Sequence, residues 1–307
     1  MNGRAARWNA WGQHLAVAAA YAACYEVTRH VTFSHWILTA GLRLACLLLM
    51  PRRYWPALAA GEALPMIENA VLCMPQFGLA WAVSASVPMI VLCMAWVQPL
   101  RQRWSLYTAD GQLRMGMVLA ATLGCAVLTA VKTVVTLMTA LLHSPEAWPD
   151  ISVATYFWAY VLGAYLGALT LTPTILALRE RAGGDVQATG ASLWGSPLLR
   201  DVVLWVVPVL FGLAWLALAT QHDGLRQAAR LALLLPVLVL AVRHGWHGTA
   251  IAGMGASIAL AATGTALLDP AMIQCQVVLA LFLSAALMVG ARLPMRAGRR
   301  GAQATPP

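Results

Sequence analysis

Long apolar stretches, broken by short polar punctuation, run along nearly the whole chain. A membrane-spanning helix needs roughly 20 mostly apolar residues. Stretches of that kind fall at about 11–28, 35–50, 55–74, 77–97, 115–142, 153–178, 201–220, 227–243, 247–267 and 272–292. The pattern predicts an all-α fold, a polytopic transmembrane helical bundle of about ten spans, within a range of 8–10. The range comes from two stretches. The second is short and interrupted by Arg43, and the third carries Glu62, Pro65 and Glu68.

Composition supports the membrane reading. Hydrophobic residues make up 61% of the 307 and charged residues only 10%, whereas soluble domains are about a quarter charged. The net charge of +9 would suggest nucleic acid, but 19 of the 20 basic residues are arginines, most of them in short loops. They read as topology signals instead. With the N-terminus in the cytoplasm, the inner segments hold Arg4, Arg7, Arg52, Arg53, Arg101, Arg103, Arg114, Arg179, Arg181, Arg200, Arg243, Arg292, Arg296, Arg299 and Arg300. The outer segments hold only Arg29, Arg226 and Arg230. This bias predicts an even number of spans with both termini cytoplasmic. Trp55, Trp96, Trp148, Trp158, Trp205 and Trp246 stand near proposed helix ends, where amphipathic rings prefer the interface.

The first apolar stretch carries Tyr21, Tyr25 and Glu26 and no clear A-x-A cleavage site, so it is expected to remain as helix 1. Residues 1–292 read as one membrane domain. A glycine-rich loop, 181–199, divides it into 1–180 and 200–292, and 293–307 reads as a short disordered basic cytoplasmic tail. The six cysteines form no CxxC and no cysteine–histidine cluster, so no disulfide, metal or cofactor is expected. His244 and His247 flank Trp246 and could share a helix face, but they read as interfacial residues rather than metal ligands. No GxSxG, Walker or dinucleotide motif is present, and the chain is expected not to be an enzyme.

Ionisable groups inside spans are costly and are functional candidates by default. Five qualify: Glu26, Arg43, Glu62, Glu68 and Lys132, the only lysine of the chain. One reading pairs these charges into buried salt bridges that orient helices. Another opens a polar cavity in which Arg43 and Lys132 meet a small anionic or polar ligand, with Glu68 and Asn69 as further contacts. A third, a proton relay through Glu62 and Glu68, is disfavoured because positions six apart lie on different helix faces.

The stretch Tyr156 to Arg181 holds a GxxxG pair, Gly163 and Gly167, followed by Pro173. Such glycines let helix backbones approach closely. They are read as packing within the chain, with homodimerisation as the alternative, and Pro173 as a kink.

WAYVLGAYLGALTLTPTILALRER resembles the signature helix of the first membrane-associated sensor family, MASE type one. RRYWPALAAGEALPMIENAV and ARLALLLPVLVLAVRHGWHGTAIAGMGASIALAATGTA resemble its early and late segments, in the same order. The resemblance extends from about Trp36 to Arg292. It implies a sensory input module of the bacterial inner membrane, of a family that normally precedes histidine kinase or cyclic-di-GMP domains. The tripeptide Gly183-Gly184-Asp185 continues Val186-Gln187 and matches the cyclase signature only by chance. The expectation is therefore a multi-pass membrane sensor that signals in trans to a histidine kinase or cyclic-di-GMP enzyme. A small-solute transporter or transporter subunit is the first alternative, and a membrane scaffold protein the second.

Overall fold

The computed structural model describes residues 2–32, 36–148, 152–181, 196–264 and 269–292, without the side chains of residues 2–9 and 147. Most of the expected 181–199 linker and all of the expected tail lie outside these residues. Among the described residues the secondary structure is helical, and one isolated bridge, Tyr107 to Leu113, closes a loop. The helices are α1 (Asn2–His30), α2 (Leu38–Leu49), α3 (Trp55–Phe77), α4 (Leu79–Ser86), α5 (Met89–Arg103), α6 (Met115–His143), α7 (Val153–Arg181), α8 (Pro197–Asp201), α9 (Val207–Ala219), α10 (Asp223–Ala232), α11 (Leu234–Ala262) and α12 (Pro270–Arg292). A π-helical turn, Val202–Val206, joins α8 to α9.

Seven helical stretches among the described residues are long and apolar enough to cross a membrane: Arg52–Phe77, Leu79–Arg103, Met115–His143, Val153–Arg181, Pro197–Ala219, Asp223–Ala262 and Pro270–Arg292. The ten expected stretches differ from these in three places, each with a physical reason. Helix α1 has 29 residues, but its first half carries Arg4, Arg7, Asn9, Gln13 and His14, so it falls short on hydropathy rather than length. Helix α2 has only 12 residues, about 18 Å at 1.5 Å per residue, too short to span a hydrocarbon layer of roughly 30 Å. Ten of its residues are buried in protein.

The third difference lies in Asp223–Ala262, which holds two of the expected spans. Gly245 interrupts α11 with φ 61 and ψ −145, backbone that is essentially open to glycine alone. A Cβ placed at Gly248 would sit on the carbonyl of Leu240. On an unbroken helix positions 240 and 248 would stand about 12 Å apart, so the chain folds back at Gly245. The arms 234–244 and 246–262 are separate rods.

The chain forms two compact units, residues 1–106 with 117–172 and residues 107–116 with 173–307. The division falls inside α7, between Thr172 and Pro173, where the sequence suggested a break after residue 180.

In the first unit, small residues let backbones approach. A Cβ on Gly61 of α3 would meet the backbone of Ala18 in α1. One on Gly41 of α2 would come 2.5 Å from the Gly167 carbonyl of α7, and one on Gly167 would overlap the Ile37 carbonyl. The entry to α2 is tied to α7 by Ile37 N–H donating to the Gly163 carbonyl at 2.9 Å and Trp36 Nε1 to Thr170 Oγ1 at 3.2 Å. Its exit is capped by Arg101, whose Nη1 donates to the carbonyls of Leu47 at 2.7 Å and Met50 at 3.0 Å. A cation at a helix C-terminus satisfies orphan carbonyls and the helix dipole together.

Candidate functional site

The close packing of α1, α2 and α3 brings three polar side chains together inside the first unit. Arg43 of α2 is 3% exposed and Glu62 of α3 is 0% exposed. Arg43 Nε donates to both carboxylate oxygens, at 3.2 and 3.1 Å, and Nη2 donates to Oε1 at 3.0 Å. Tyr21 of α1 donates its hydroxyl to Oε2 at 2.9 Å. The amide of Ile90 donates to Oε1 at 3.1 Å. A buried charge is tolerated when paired and hydrogen-bonded, and Glu62 meets both conditions. Arg43 does so incompletely, because its buried Nη1 has no hydrogen-bond partner among the described residues.

The Ile90 amide is available because the stretch Leu79–Arg103 is broken. Val87 (φ −67, ψ 117) and Pro88 (φ −64, ψ 124) are extended, and Pro88 has no N–H to continue the ladder. The break exposes two helix ends. The N-terminus of α5, which carries partial positive charge, points its Ile90 amide at Glu62. The C-terminus of α4, which carries partial negative charge, offers the Ala85 carbonyl to Lys132 Nζ of α6 at 3.3 Å. Each half-helix end faces the side-chain charge of opposite sign.

Beside this arrangement lies a partly open cavity of about 310 Å³. Its polar lining comprises Arg43, Lys132, Thr32, Thr39, Thr129, Thr133, Tyr25 and Tyr160, and its apolar lining is Ile37, Met66 and Met89. The hydroxyls of Thr129 and Thr133 donate to their own helix, to Cys125 O at 2.7 Å and Thr129 O at 2.8 Å. They therefore present acceptor oxygens, while Lys132 supplies a charged donor and Arg43 a charge already paired with Glu62. No carboxylate among the described residues pairs with Lys132.

Of the six ligand candidates read from the sequence, the structure brings Arg43 and Lys132 to the cavity, with Glu62 behind Arg43. Glu26 pairs within α1, 3.6 Å from both Arg29 and His30. Glu68 is exposed. Asn69 Oδ1 lies 3.9 Å from the Cys73 thiol. None of these three lines the cavity. Gly163 and Gly167 serve the seat of α2, and α7 continues helically through Pro173 to Arg181. The residues that sequence reasoning missed had weak signals: Tyr21 and Tyr25, one turn apart in an apolar helix, and Pro88 in the middle of an apolar stretch.

The second unit holds polar contacts of another kind. Arg230 of α10 donates through Nε to Thr263 Oγ1 at 3.2 Å, through Nη2 to the Thr263 carbonyl at 2.7 Å and through Nη1 to Asp269 at 3.3 Å. Asp201 accepts from Arg243 and pairs with His244, both at 3.0 Å, and His247 pairs with Glu180 at 3.1 Å. Tyr107 of the loop 104–114 also bonds Glu180, and burial, then the Glu180 charge, raise its phenol above the ordinary 10.0. No group of three or more metal-ligating side chains occurs among the described residues.

Seven long apolar stretches with outward apolar surface, such as Leu142, Val242 and Phe211 at 80%, 74% and 73% exposed, define a multi-pass helical membrane protein. The order of its segments is that of a known sensory domain. The family model MASE1 matches residues 13–299, nearly the whole chain, and the chain belongs to that family of membrane-associated sensory domains. No curated protein and no solved structure matches it.

Proposed function

We propose that the chain is a sensory input module of the bacterial inner membrane, without catalytic activity of its own. In this reading a ligand enters the cavity of the first unit and shifts the balance between two packings of the helices around it. The shift is passed to a signalling partner, a histidine kinase or a cyclic-di-GMP enzyme acting in trans. Family membership implies the sensory role, and one observation carries the site: a cavity inside apolar helices, lined by Lys132 and by an incompletely satisfied Arg43. A ligand shifts the equilibrium only as far as it prefers one packing, and these two cations provide a preference that an apolar wall would not. The test is co-purification in mild detergent with mass spectrometry of what stays bound, followed by partner output with Lys132→Met. Loss of output in a folded variant supports the reading, and unchanged output refutes it.

A second reading has one specific observation in its favour. Discontinuous helices whose ends face charges mark the binding sites of secondary transporters, and α4 and α5 form such a break. Proteoliposomes separate the two readings, since a sensor accumulates no solute and a transporter does.

A further inference from the structure

We infer that the cavity of the first unit is a receptor site for a small organic monoanion, a carboxylate on an apolar body, held by Lys132. This deepens the sensory reading and depends on it for the consequence of binding, not for binding itself.

The charge of the wall sets the charge of the occupant. Glu62 neutralises Arg43, which leaves Lys132 as the cation of the lining with no carboxylate partner among the described residues. A monoanion balances that single charge, whereas a dianion carries a surplus into a low-dielectric setting. The donors fit the same count. Lys132 has three N–H groups and gives one hydrogen bond, to Ala85. A donor left unmade beside apolar walls is costly, and a carboxylate meets the remaining N–H groups of Lys132.

The remaining wall sets the body. Ile37, Met66 and Met89 are apolar, and Tyr25 and Tyr160 add rings. The volume of about 310 Å³ lies at the small end of the roughly 300–1,000 Å³ typical of ligand sites. It corresponds to about ten water-sized volumes, enough for one aromatic ring with its acid group. The same chemistry can arrive as a water-soluble acid or as a free fatty acid from the bilayer.

The experiment is calorimetric titration of the purified full chain in mild detergent with benzoate, benzamide, inorganic phosphate and palmitate. Benzoate should bind at least about tenfold more tightly than benzamide, because only the acid makes charge-assisted bonds. Lys132→Met should weaken benzoate at least about tenfold and Lys132→Arg should retain it. Tighter palmitate than benzoate, with the same Lys132 dependence, would assign the bilayer as source; the reverse order would assign the aqueous phase. Equal benzoate and benzamide affinity, absence of binding by both acids, or tighter phosphate would overturn the inference, and these comparisons need only the unmodified protein. Benzoate binding with partner output unchanged would uphold the site and remove the sensory role.

Discussion

The two units spend charge differently. In the first, Arg43 and Glu62 sit in the middle of α2 and α3, almost without solvent exposure, beside a broken helix and a cavity. In the second, charges stand at ends and turns: Arg230 in the last turn of α10 bonds Thr263 at the end of α11 and Asp269 before the start of α12, and Asp201 and Glu180 hold residues on either side of the bend at Gly245. A charge at a helix end satisfies carbonyls that the helix leaves open, as the buried Arg230 does for Thr263. A charge in the middle has no such excuse, and the surrounding fold must supply every partner. The first unit does so for Glu62 and stops short for Arg43 and Lys132. That incompleteness, and not the presence of charge alone, marks the candidate site.

The sharpest break of this comparison is Glu62→Leu, which strands Arg43 in an apolar interior. Loss of one partner of a buried pair costs about 3–5 kcal/mol. Thermal unfolding in detergent should show the largest drop of any variant, and Arg43→Met with Glu62→Leu should recover most of it. If the single variant unfolds like the wild type, the pair is not buried as described. Next comes Gly167→Leu, whose side chain meets the Ile37 backbone. Overpacking of that kind costs about 1–3 kcal/mol and should unseat α2, read as faster proteolysis at Trp36 and Ile37.

In the second unit Gly245→Ala should cost about 1–2 kcal/mol, because φ 61 with ψ −145 excludes a side chain. Asp201→Asn should cost no more than about 1 kcal/mol, since its partner Arg243 is 56% exposed and such pairs contribute little. A larger loss there than at Glu62 would reverse the contrast between the units. The smallest effect concerns Tyr107. Its phenol is raised above 10.0, so its contribution is fully present below pH 10.0 and is lost as pH rises through the higher folded value. Tyr107→Phe should remove that alkaline component and leave the wild-type pH dependence below it unchanged.

Much of this was legible in the sequence. Apolar length marked ten stretches where the described residues hold seven long and apolar enough to span, and three loose segments in order marked the family. Arg43 and Lys132 stood out because charge in an apolar stretch is rare. What escaped depended on three-dimensional proximity. Glu26 and Glu68 are as unusual in sequence as Glu62, yet one pairs along its own helix and the other faces outward. Hydropathy cannot separate these, because it scores residue type and not helix face. Pro88 went unmarked within the stretch at about 77–97, since the charges that face its broken ends lie in α3 and α6. The bend at Gly245 was anticipated as a turn between two spans. The shortness of α2 was visible, but its burial was not, because a helix buried in protein is as apolar as a true span.

The central claim is that an acid in the first cavity alters helix packing through Lys132. Hydrogen exchange across residues 85–92, with and without benzoate, tests it most directly. The account predicts slower exchange around the α4–α5 break in the wild type, and no change in a folded Lys132→Met variant. Equal exchange with and without the acid in the wild type, or the same protection in both proteins, would contradict it.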